Sequence, residues 1–363
     1  MALKINQHQQ ALWRSPKVMQ IGLGPEQVIL EDLTPAQEKL IAALYSGIAD
    51  NQVEAIANQS KLDLSIAHEL VEKIRPLMQI PEADRGQRSN SSRGNLDKTE
   101  PFSDSAVSSA FAEIIRASLV HGRDGEAVLL ERGRRAVHLD DLSKTGLLIT
   151  LGLAAAGIGA VITHDSSRVS QRDIGNTGYA QGLLGQSRLG AAEWLLRGAP
   201  NRIQLVPGSK LEPKQLDNVD CAVIIAHQAI QPRLYARWMN RQVPHIAVVF
   251  DSTGVSVSPM ITPGITPCLF CLEQQRIDSD EGWPVLASQL LTSELRFDDS
   301  ASQLFAAGIV LKKILQTIDS GPQSEPIAAT GYRFLASDGT VSDLKWPMHK
   351  ACSCGESEGS LSA

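Results

Sequence analysis

Four cysteines stand in two close pairs near the C-terminal end of the chain. The first pair, Cys268 and Cys271, has the spacing C-x-x-C in the stretch TPCLFC. The second pair, Cys352 and Cys354, has the spacing C-x-C in HKACSCG. Four thiolates in two close pairs suit a tetrahedral zinc ion, and structural zinc sites leave no coordination position open. The sequence therefore predicts a structural zinc site that pins the C-terminal segment onto the body of the protein.

Other interpretations of these thiols stay open at the sequence level. The four could be unrelated, or the C-x-x-C pair could be a redox motif. A redox pair would open a helix after a strand, whereas this one follows a loop that contains proline and glycine. His349 could replace one of the cysteines as a ligand. The fifth cysteine, Cys221, lies in an apolar strand-like run and is left out of the cluster.

A second group of polar residues precedes the apolar stretch LLITLGLAAAGIGAV, residues 147–161. The stretch has the character of the crossover helix in a nucleotide-binding βαβ unit. The turn before such a helix is usually rich in glycine, because its backbone must approach a phosphate closely. Here that turn carries Asp141 and Ser143. The sequence thus raises the question of whether this is a nucleotide site or a fold that has lost one.

Elements that would position these groups alternate along the chain after residue 105. The strand-like runs are AVLLER, RRAVHL, AVITHD, RIQLV, CAVIIAH and HIAVVF. Helical patterns begin at Gly146, cover 186–196 and 302–318, and include PRLYARWMNRQV, while SDG at 337–339 indicates a hairpin. This βαβα order predicts an α/β fold with a doubly wound, mostly parallel, Rossmann-like sheet.

A smaller module occupies residues 11–80. Two short strand-like runs, VMQIG and QVILEDL, precede three helical patterns, the first of which opens with the N-cap pair Thr34 and Pro35. This inventory predicts a winged-helix-like α+β domain, with a plain α/β packing module as the alternative. Residues 81–105 are polar and almost free of apolar side chains, so we expect a flexible linker there. The second domain then covers 106–363.

Composition and charge exclude several classes of protein. The chain has 363 residues, of which 43% are hydrophobic and 20% are charged, as in ordinary globular proteins. The N-terminus lacks the apolar core of a signal peptide, and no apolar run approaches the roughly 20 residues that span a bilayer. The net charge is −6 and no basic block is present. We therefore expect a cytoplasmic location and neither a membrane nor a nucleic-acid partner.

Three segments together resemble the ThiF/MoeB/HesA superfamily, the bacterial relatives of ubiquitin-activating enzymes. They are SPMITPGITPCLFCLEQQRIDSDEGWPVLASQL, the terminal H-x-x-C-x-C pattern and LAAAGIGAVITHDSSRV. The likeness covers roughly residues 110–355 and is greatest to the branch found in azole-type peptide natural-product biosynthesis. It implies a ThiF-type domain with a zinc-clamped C-terminal segment, and a homodimer. In that branch a winged-helix-like leader-peptide-binding domain often comes first, which matches residues 11–80 and implies a peptide substrate and a cyclodehydratase-type partner.

Active members of the superfamily bind ATP with magnesium and adenylate a carboxylate, and their phosphate loop reads G-x-G-x-x-G. The spacing to Gly157 places that loop on residues 141–146, where only the third glycine, Gly146, is kept. Asp141 and Ser143 replace the other two. The side chains obstruct the approach of phosphate, and Asp141 adds a charge of the wrong sign that Lys144 offsets only in part.

The other positions implied by the resemblance also differ. Asp165 fills the place of the acid that holds the ribose, although it could equally be a loop or capping carboxylate. Residues 172–177, RDIGNT, align with the family's S-N-L-x-R-Q stretch but have no arginine at its fifth position. Arg188 replaces a phosphate-binding lysine. His227 replaces the magnesium-binding aspartate; imidazole suits zinc or nickel, whereas magnesium prefers oxygen. A hydrogen-bonded histidine at a strand end is the alternative for His227.

Three functions follow as hypotheses. The first is a scaffold with a degenerate ATP site, which binds a peptide or protein and presents it to a partner enzyme. The second is an active ATP-dependent adenylyltransferase that acts on a peptide or carrier-protein carboxylate. The third is a binder of another nucleotide or dinucleotide that uses Asp165, although a pyrophosphate would meet the same obstructed loop.

Overall fold

The computed structural model describes residues 2–23, 27–79, 110–198, 203–319 and 330–355. The described residues divide into two compact units, one formed by residues 2–79 with 110–130 and the other by residues 131–355. The expected linker, 81–105, lies outside the described residues. In the described part of the chain, every helix is too short or too polar to cross a bilayer.

The first unit combines short antiparallel strands with helices. Its strands are β1 (Ala2–Leu3), β2 (Ala11–Ser15), β3 (Val18–Ile21), β4 (Val28–Leu30) and β5 (Ile48–Ala49). Its helices are α1 (Pro35–Ser46), α2 (Val53–Gln59), α3 (Leu64–Ile74) and α4 (Phe111–His121). The order β2-β3-β4 forms one sheet, and β1 pairs with β5. The three helices expected after the strands are present, while β2 is an additional edge strand.

Helix α1 begins where its sequence predicts. Thr34 accepts a hydrogen bond from the Gln37 amide, and the Gln37 side chain accepts one from the Thr34 amide, at 3.3 and 2.9 Å. This reciprocal capping box satisfies two amides that the helix itself leaves unpaired. Leu40 and Leu44, four residues apart, are completely buried. Capping and periodicity therefore both fix this helix.

Residues 110–130 belong to the first unit, whereas the sequence-based boundary put them in the second domain. The Asn6 side chain donates to the Ser118 carbonyl at 2.8 Å, and the Ser118 hydroxyl bonds back to Asn6 at 3.1 Å. Both side chains are buried. This contact joins residues 112 positions apart, which explains why local sequence patterns do not reveal it.

The second unit is built on one large sheet. Its strands are β6 (Ala136–Leu139), β7 (Ala160–Thr163), β8 (Gln204–Pro207), β9 (Cys221–His227), β10 (His245–Asp251), β11 (Gly254–Val257), β12 (Gly331–Leu335) and β13 (Val341–Leu344). The helices, counting α5 (Gly125–Arg132) at the division between the units, continue with α6 (Lys144–Ala155), α7 (Arg188–Leu196), α8 (Pro232–Asn240), α9 (Leu269–Ser279), α10 (Trp283–Leu290) and α11 (Ser300–Asp319).

The strand order is β13-β12-β11-β10-β9-β6-β7-β8, and the five strands from β10 to β8 run parallel. The doubly wound sheet predicted from the sequence is thus confirmed, with an antiparallel extension through β11, β12 and β13. The chain reverses its direction of winding between β6 and β9. Ligands of such sheets bind at the carboxyl ends of the strands beside this switch point.

One sequence-based expectation is wrong. The run AVLLER, residues 127–132, forms the end of α5 instead of a strand. Val128 and Leu129 are buried, and the Glu126 amide is capped by Asp124 at 3.1 Å. A short apolar run has no periodicity that separates a buried strand from a buried helix turn.

Candidate functional site

The loop between β6 and α6 lies at the switch point, where a phosphate would be expected. Two of its amides already hold carboxylates: Leu142 donates to Asp165 at 2.8 Å and Ser143 donates to Asp141 at 2.7 Å. The Leu142 side chain is completely buried, and the Tyr179 hydroxyl donates to the Leu142 carbonyl at 2.7 Å. Amides that a phosphate loop would turn toward its ligand are therefore bonded within the chain.

Arg188, at the first turn of α7, gathers three carboxylates around its guanidinium. One amino group lies 3.5 Å from Asp141 and 3.2 Å from Asp165. The other lies 2.8 Å from Asp173, which the guanidinium Nε also contacts at 3.3 Å. The side chains of Asp165 and Asp173 are each only 3% exposed. The cation that would face a phosphate is thus neutralised by the protein itself.

The carboxyls of this network differ in proton affinity. Burial alone would raise the pKa of Asp165, but hydrogen bonds from Ser167 and Leu142 and the charge of Arg188 outweigh it and lower that pKa. Burial raises the pKa of Asp141, against the hydrogen bonds from Ser143 and the charge of Arg188. The Arg188–Asp165 pair consequently stays ionised at neutral pH.

Gly146 and Lys144 help to hold the loop closed. A Cβ at Gly146 would lie 1.6 Å from the Asp141 carbonyl oxygen, so only glycine allows the loop to rest on the helix here. A Cβ at Gly178 would lie 2.7 Å from Cγ of Lys144, which shows that the lysine stem packs closely against that backbone. Gly146 therefore allows close contact between the loop and α6.

His227 ends β9 on the other side of the switch point. Its ring lies 5.4 Å from the Phe250 ring, and its Nδ1 accepts a long hydrogen bond, 3.5 Å, from the Phe297 amide. Burial lowers the pKa of His227 to about 4, and the nearby charge of Asp298 opposes this shift only in part. Among the described residues, His227 belongs to no group of three side chains spaced for a metal. The imidazole is thus neutral and packed against an aromatic ring.

The neutral buried histidines predict a pH-dependent stability. Burial also lowers the pKa of His245 to about 4. Between about 6.5 and 4 the unfolded chain therefore binds protons that the folded chain does not, and the unfolding free energy falls as the pH falls. The slope is at most about 1.4 kcal/mol per pH unit for each histidine. Urea denaturation across this range should show it, with no contribution from these residues above it.

Substitution by glutamine tests the assignment of that slope. His227→Gln and His245→Gln should each flatten the dependence, whereas His68→Gln, at an exposed position of α3, should leave it unchanged. An equal slope in all three variants would show that other groups govern acid unfolding.

The four cysteines converge as their spacing predicts. The Sγ atoms of Cys268 and Cys271 are 3.8 Å apart, and those of Cys352 and Cys354 lie 3.5 and 3.4 Å from Cys268 and Cys271 respectively. Zinc–sulfur bonds of about 2.3 Å in a tetrahedron place sulfurs about 3.8 Å apart, so this donor set fits zinc. Cys268 is the N-cap of α9. Its contact with Cys352, and that of Cys271 with Cys354, join the C-terminal segment to this helix.

The remaining candidates lie outside this cluster. His349 contacts Asp278 at 2.9 Å instead of joining the sulfurs. Cys221 is completely buried in β9, and burial raises the pKa of its thiol. The Trp346 indole is buried and donates to the Cys268 carbonyl at 3.0 Å. Four thiols therefore suffice for a closed metal site.

A cleft of about 570 Å³ opens beside the carboxyl ends of β9 and β10. Its lining includes Gln228, Asp251, Arg276 and Trp283. The Trp283 indole donates to Glu273 at 2.7 Å, and the Arg276 guanidinium lies 4.9 Å from the centre of the same ring. Polar and aromatic groups in fixed positions make this cleft suited to an extended polar ligand.

Sequence reasoning missed two features of this region. Asp173 is the bidentate partner of Arg188, although no motif marks it. A cluster of His138, Asp140 and His164 lies beside the loop. The signal for it was present, since HLD spans the end of β6 and THD spans the end of β7, so a histidine and an aspartate stand at the ends of two neighbouring strands.

The fold of this chain is similar to that of several solved proteins, although its sequence is not. Neither a protein-family model nor a curated protein matches the sequence. Among solved structures, E. coli MccB with ATP superposes with a TM-score of 0.65 and 14% identity, covering 98% of this chain and 99% of that one. The microcin C7 biosynthetic enzyme MccB in complex with N-formylated MccA gives 0.61 and 13%, covering 98% and 100%. PaaA gives 0.64 and 16%, covering 93% and 98%. The likeness confirms the ThiF-type fold over nearly the whole chain.

Proposed function

We propose that this protein is a ThiF-like scaffold of peptide natural-product biosynthesis, which binds a peptide and presents it to a partner enzyme without adenylating it. The fold it shares with MccB, solved with N-formylated MccA, supports the peptide partner. One observation carries the absence of adenylation. The loop amides of Leu142 and Ser143 donate hydrogen bonds to the carboxylates of Asp165 and Asp141. The Arg188 guanidinium forms ion pairs with both carboxylates.

ATP would have to replace these internal carboxylates. Its phosphates would compete with the carboxylates for the same amides and for Arg188, while lying beside three aspartates of like charge. The magnesium that accompanies ATP prefers oxygen ligands, and the position of its aspartate holds the neutral imidazole of His227. Charge and ligand chemistry therefore both oppose nucleotide binding.

The N-terminal unit offers an edge for a peptide. Strand β2 lies at the edge of its sheet, all five of its residues are exposed, and the exposed fractions of Leu12 and Trp13 are 38% and 50%. An edge strand presents unpaired backbone groups to which an extended peptide can add, and apolar side chains supply specificity. In this proposal the unit is a winged-helix-like leader-binding module.

The same proposal assigns partners and a metal. The peptide would be passed to a cyclodehydratase-type enzyme, the active form would be a homodimer, and zinc would occupy the four-cysteine cluster as a structural ion. Cys268 is the N-cap of α9 and Cys271 lies in its first turn, and residues further along this helix line the polar cleft, so the ion would also stabilise the wall of that cleft.

Adenylation by this chain is the second candidate. The fold is that of MccB solved with ATP, and Arg188 keeps a positive charge at the position of the family's lysine. For this activity the loop would have to open and expose the amides of Leu142 and Ser143. ATP–pyrophosphate exchange in the presence of the peptide separates the two candidates.

A peptide-binding experiment tests the scaffold. We expect a short precursor peptide encoded beside this gene to bind the full chain without ATP, as measured by fluorescence anisotropy. Trp13→Ala should weaken binding by about tenfold or more, equivalent to about 1.4 kcal/mol. Trp194→Ala removes a similarly exposed tryptophan from α7, at 54% exposure, and should leave the affinity unchanged. Equal affinities for the two variants would contradict peptide binding at strand β2.

A further inference from the structure

Three metal-ligand atoms converge on the face of the sheet that packs against α8. His138 Nε2 lies 3.0 Å from His164 Nδ1 and 3.2 Å from Asp140 Oδ1. The distance from His164 Nδ1 to Asp140 Oδ1 is 3.3 Å. The His138 ring packs against Trp238 of α8 in a tilted arrangement, with the ring centres 4.5 Å apart. Asp140 therefore joins this cluster while the next residue, Asp141, joins the Arg188 network.

The spacing of these atoms is that of ligands around one ion. Bonds of about 2.1 Å place two ligands about 3.0 Å apart at a right angle and about 3.4 Å apart at a tetrahedral angle. All three observed separations lie within that interval. Two imidazoles and one carboxylate are also the donor set that first-row transition metals accept with coordination positions left open.

The burial of the cluster favours a metal-ligand role. His138 lies in β6 and is completely buried. Asp140 Oδ1 is buried and makes no hydrogen bond among the described residues. An acceptor without a donor in such a position is a point that a cation would satisfy.

The surrounding backbone is shaped for the His164 ring. A Cβ at Gly208, which follows β8, would lie 2.2 Å from the His164 ring carbon Cε1. Only glycine therefore allows the ring to occupy its place beside His138. The cluster is thus held by three adjacent parallel strands, β6, β7 and β8, instead of resting on a flexible surface.

We propose that His138, Asp140 and His164 form a second metal site, which binds a divalent transition-metal ion through two histidines and one carboxylate. It shares no ligand with the four-cysteine cluster and does not depend on the proposed function. Three protein ligands leave at least one coordination position for water or for an anionic group. The site is therefore open, in contrast to the closed thiolate site.

Arg237 both supports and competes with this ion. Its guanidinium donates to Asp140 Oδ2 at 2.9 Å, and the same nitrogen lies 3.0 Å from His138 Nε2. A bound ion would replace the contact between Arg237 and His138 and would leave the hydrogen bond from Arg237 to Asp140 in place. That hydrogen bond would then orient Asp140, as hydrogen bonds from outside the coordination sphere orient metal-bound carboxylates. The Arg237 side chain is 29% exposed and has room for that movement. Together the two cations would attract an anionic ligand.

Metal content tests the proposal on the full chain. After equilibration with Zn²⁺ and removal of free ion, the wild-type protein should hold two zinc ions per chain. His164→Ala should hold one, and so should Asp140→Ala. Cys354→Ser should lose the other ion and keep the one at the histidines. His164 is 36% exposed, so its loss should leave the thermal midpoint of the metal-free protein nearly unchanged.

Cobalt distinguishes the two sites by their ligands. In Cys354→Ser, Co²⁺ at the histidine site should give weak visible bands that disappear with the added change His164→Ala. His68→Ala, an exposed histidine of the N-terminal unit, is the matched control and should retain both ions. One zinc per wild-type chain, or two in His164→Ala, would overturn the second site whatever the fate of the peptide-binding proposal.

Discussion

Arg188→Met is expected to lower the free energy of unfolding by about 3–5 kcal/mol, the usual cost of removing one partner of a buried ion pair. The substitution keeps most of the apolar stem but leaves Asp165 and Asp173 without their cation in a site where each is only 3% exposed. Urea denaturation at neutral pH measures the loss. The same variant should still not bind ATP, because Asp141 and Asp165 continue to accept hydrogen bonds from the loop amides.

Arg168→Met is the matched control for this prediction. Arg168 is exposed and donates to the Gly185 carbonyl at 2.8 Å, so its loss should cost less than about 1 kcal/mol. Arg188 helps to lower the pKa of Asp165, so in Arg188→Met this carboxyl takes up a proton more readily, and the difference from the wild type should shrink as the pH falls. A cost equal to that of Arg168→Met would contradict the closed network.

The second large effect concerns the zinc clamp. The double variant Cys352→Ser/Cys354→Ser is expected to lose one zinc ion per chain relative to the wild type, together with about 4 kcal/mol or more of stability, since loss of a bound metal is among the most destabilising changes. The C-terminal segment would then be held mainly by contacts such as that from Trp346 to Cys268. Elemental analysis and thermal denaturation measure the two losses.

Cys221→Ala controls for the removal of a cysteine as such. This thiol is buried in β9 and lies apart from the four sulfurs, so the variant should keep the full zinc content although it loses some packing. A chelator added to the wild type should reproduce the loss of the double variant, and zinc should reverse it. A double variant with unchanged zinc content would contradict the clamp.

The sequence predicted the sheet well because four of its five parallel strands, β6, β7, β9 and β10, are largely buried and read as continuous apolar runs. CAVIIAH and HIAVVF became β9 and β10 within one residue of their expected limits. The additional strands β2 and β11 escaped notice, since short strands at an edge or in an antiparallel extension carry weaker patterns. AVLLER was misread for the related reason that apolar content alone does not fix a period.

The site was predictable where spacing alone determines it. The two cysteine pairs indicated their cluster, and the distance to Gly157 located the loop of Asp141. The mutual contacts were not predictable, because Arg188 meets Asp165 and Asp173 across 23 and 15 residues through side-chain directions that tertiary packing sets. The cluster of His138 and His164 was missed for a different reason: its residues stand at the ends of two strand-like runs, but the pairing of β6 with β7 was needed to bring them together.

Binding of ATP with magnesium to the full-length protein tests the central claim most directly, since it requires no knowledge of the peptide. Equilibrium dialysis with labelled ATP is the measurement, with Asp165→Asn as the companion variant. The closed loop predicts no saturable binding up to millimolar ATP in either protein. Saturable binding of one ATP per wild-type chain, weakened in Asp165→Asn, would contradict the account and favour the adenylyltransferase.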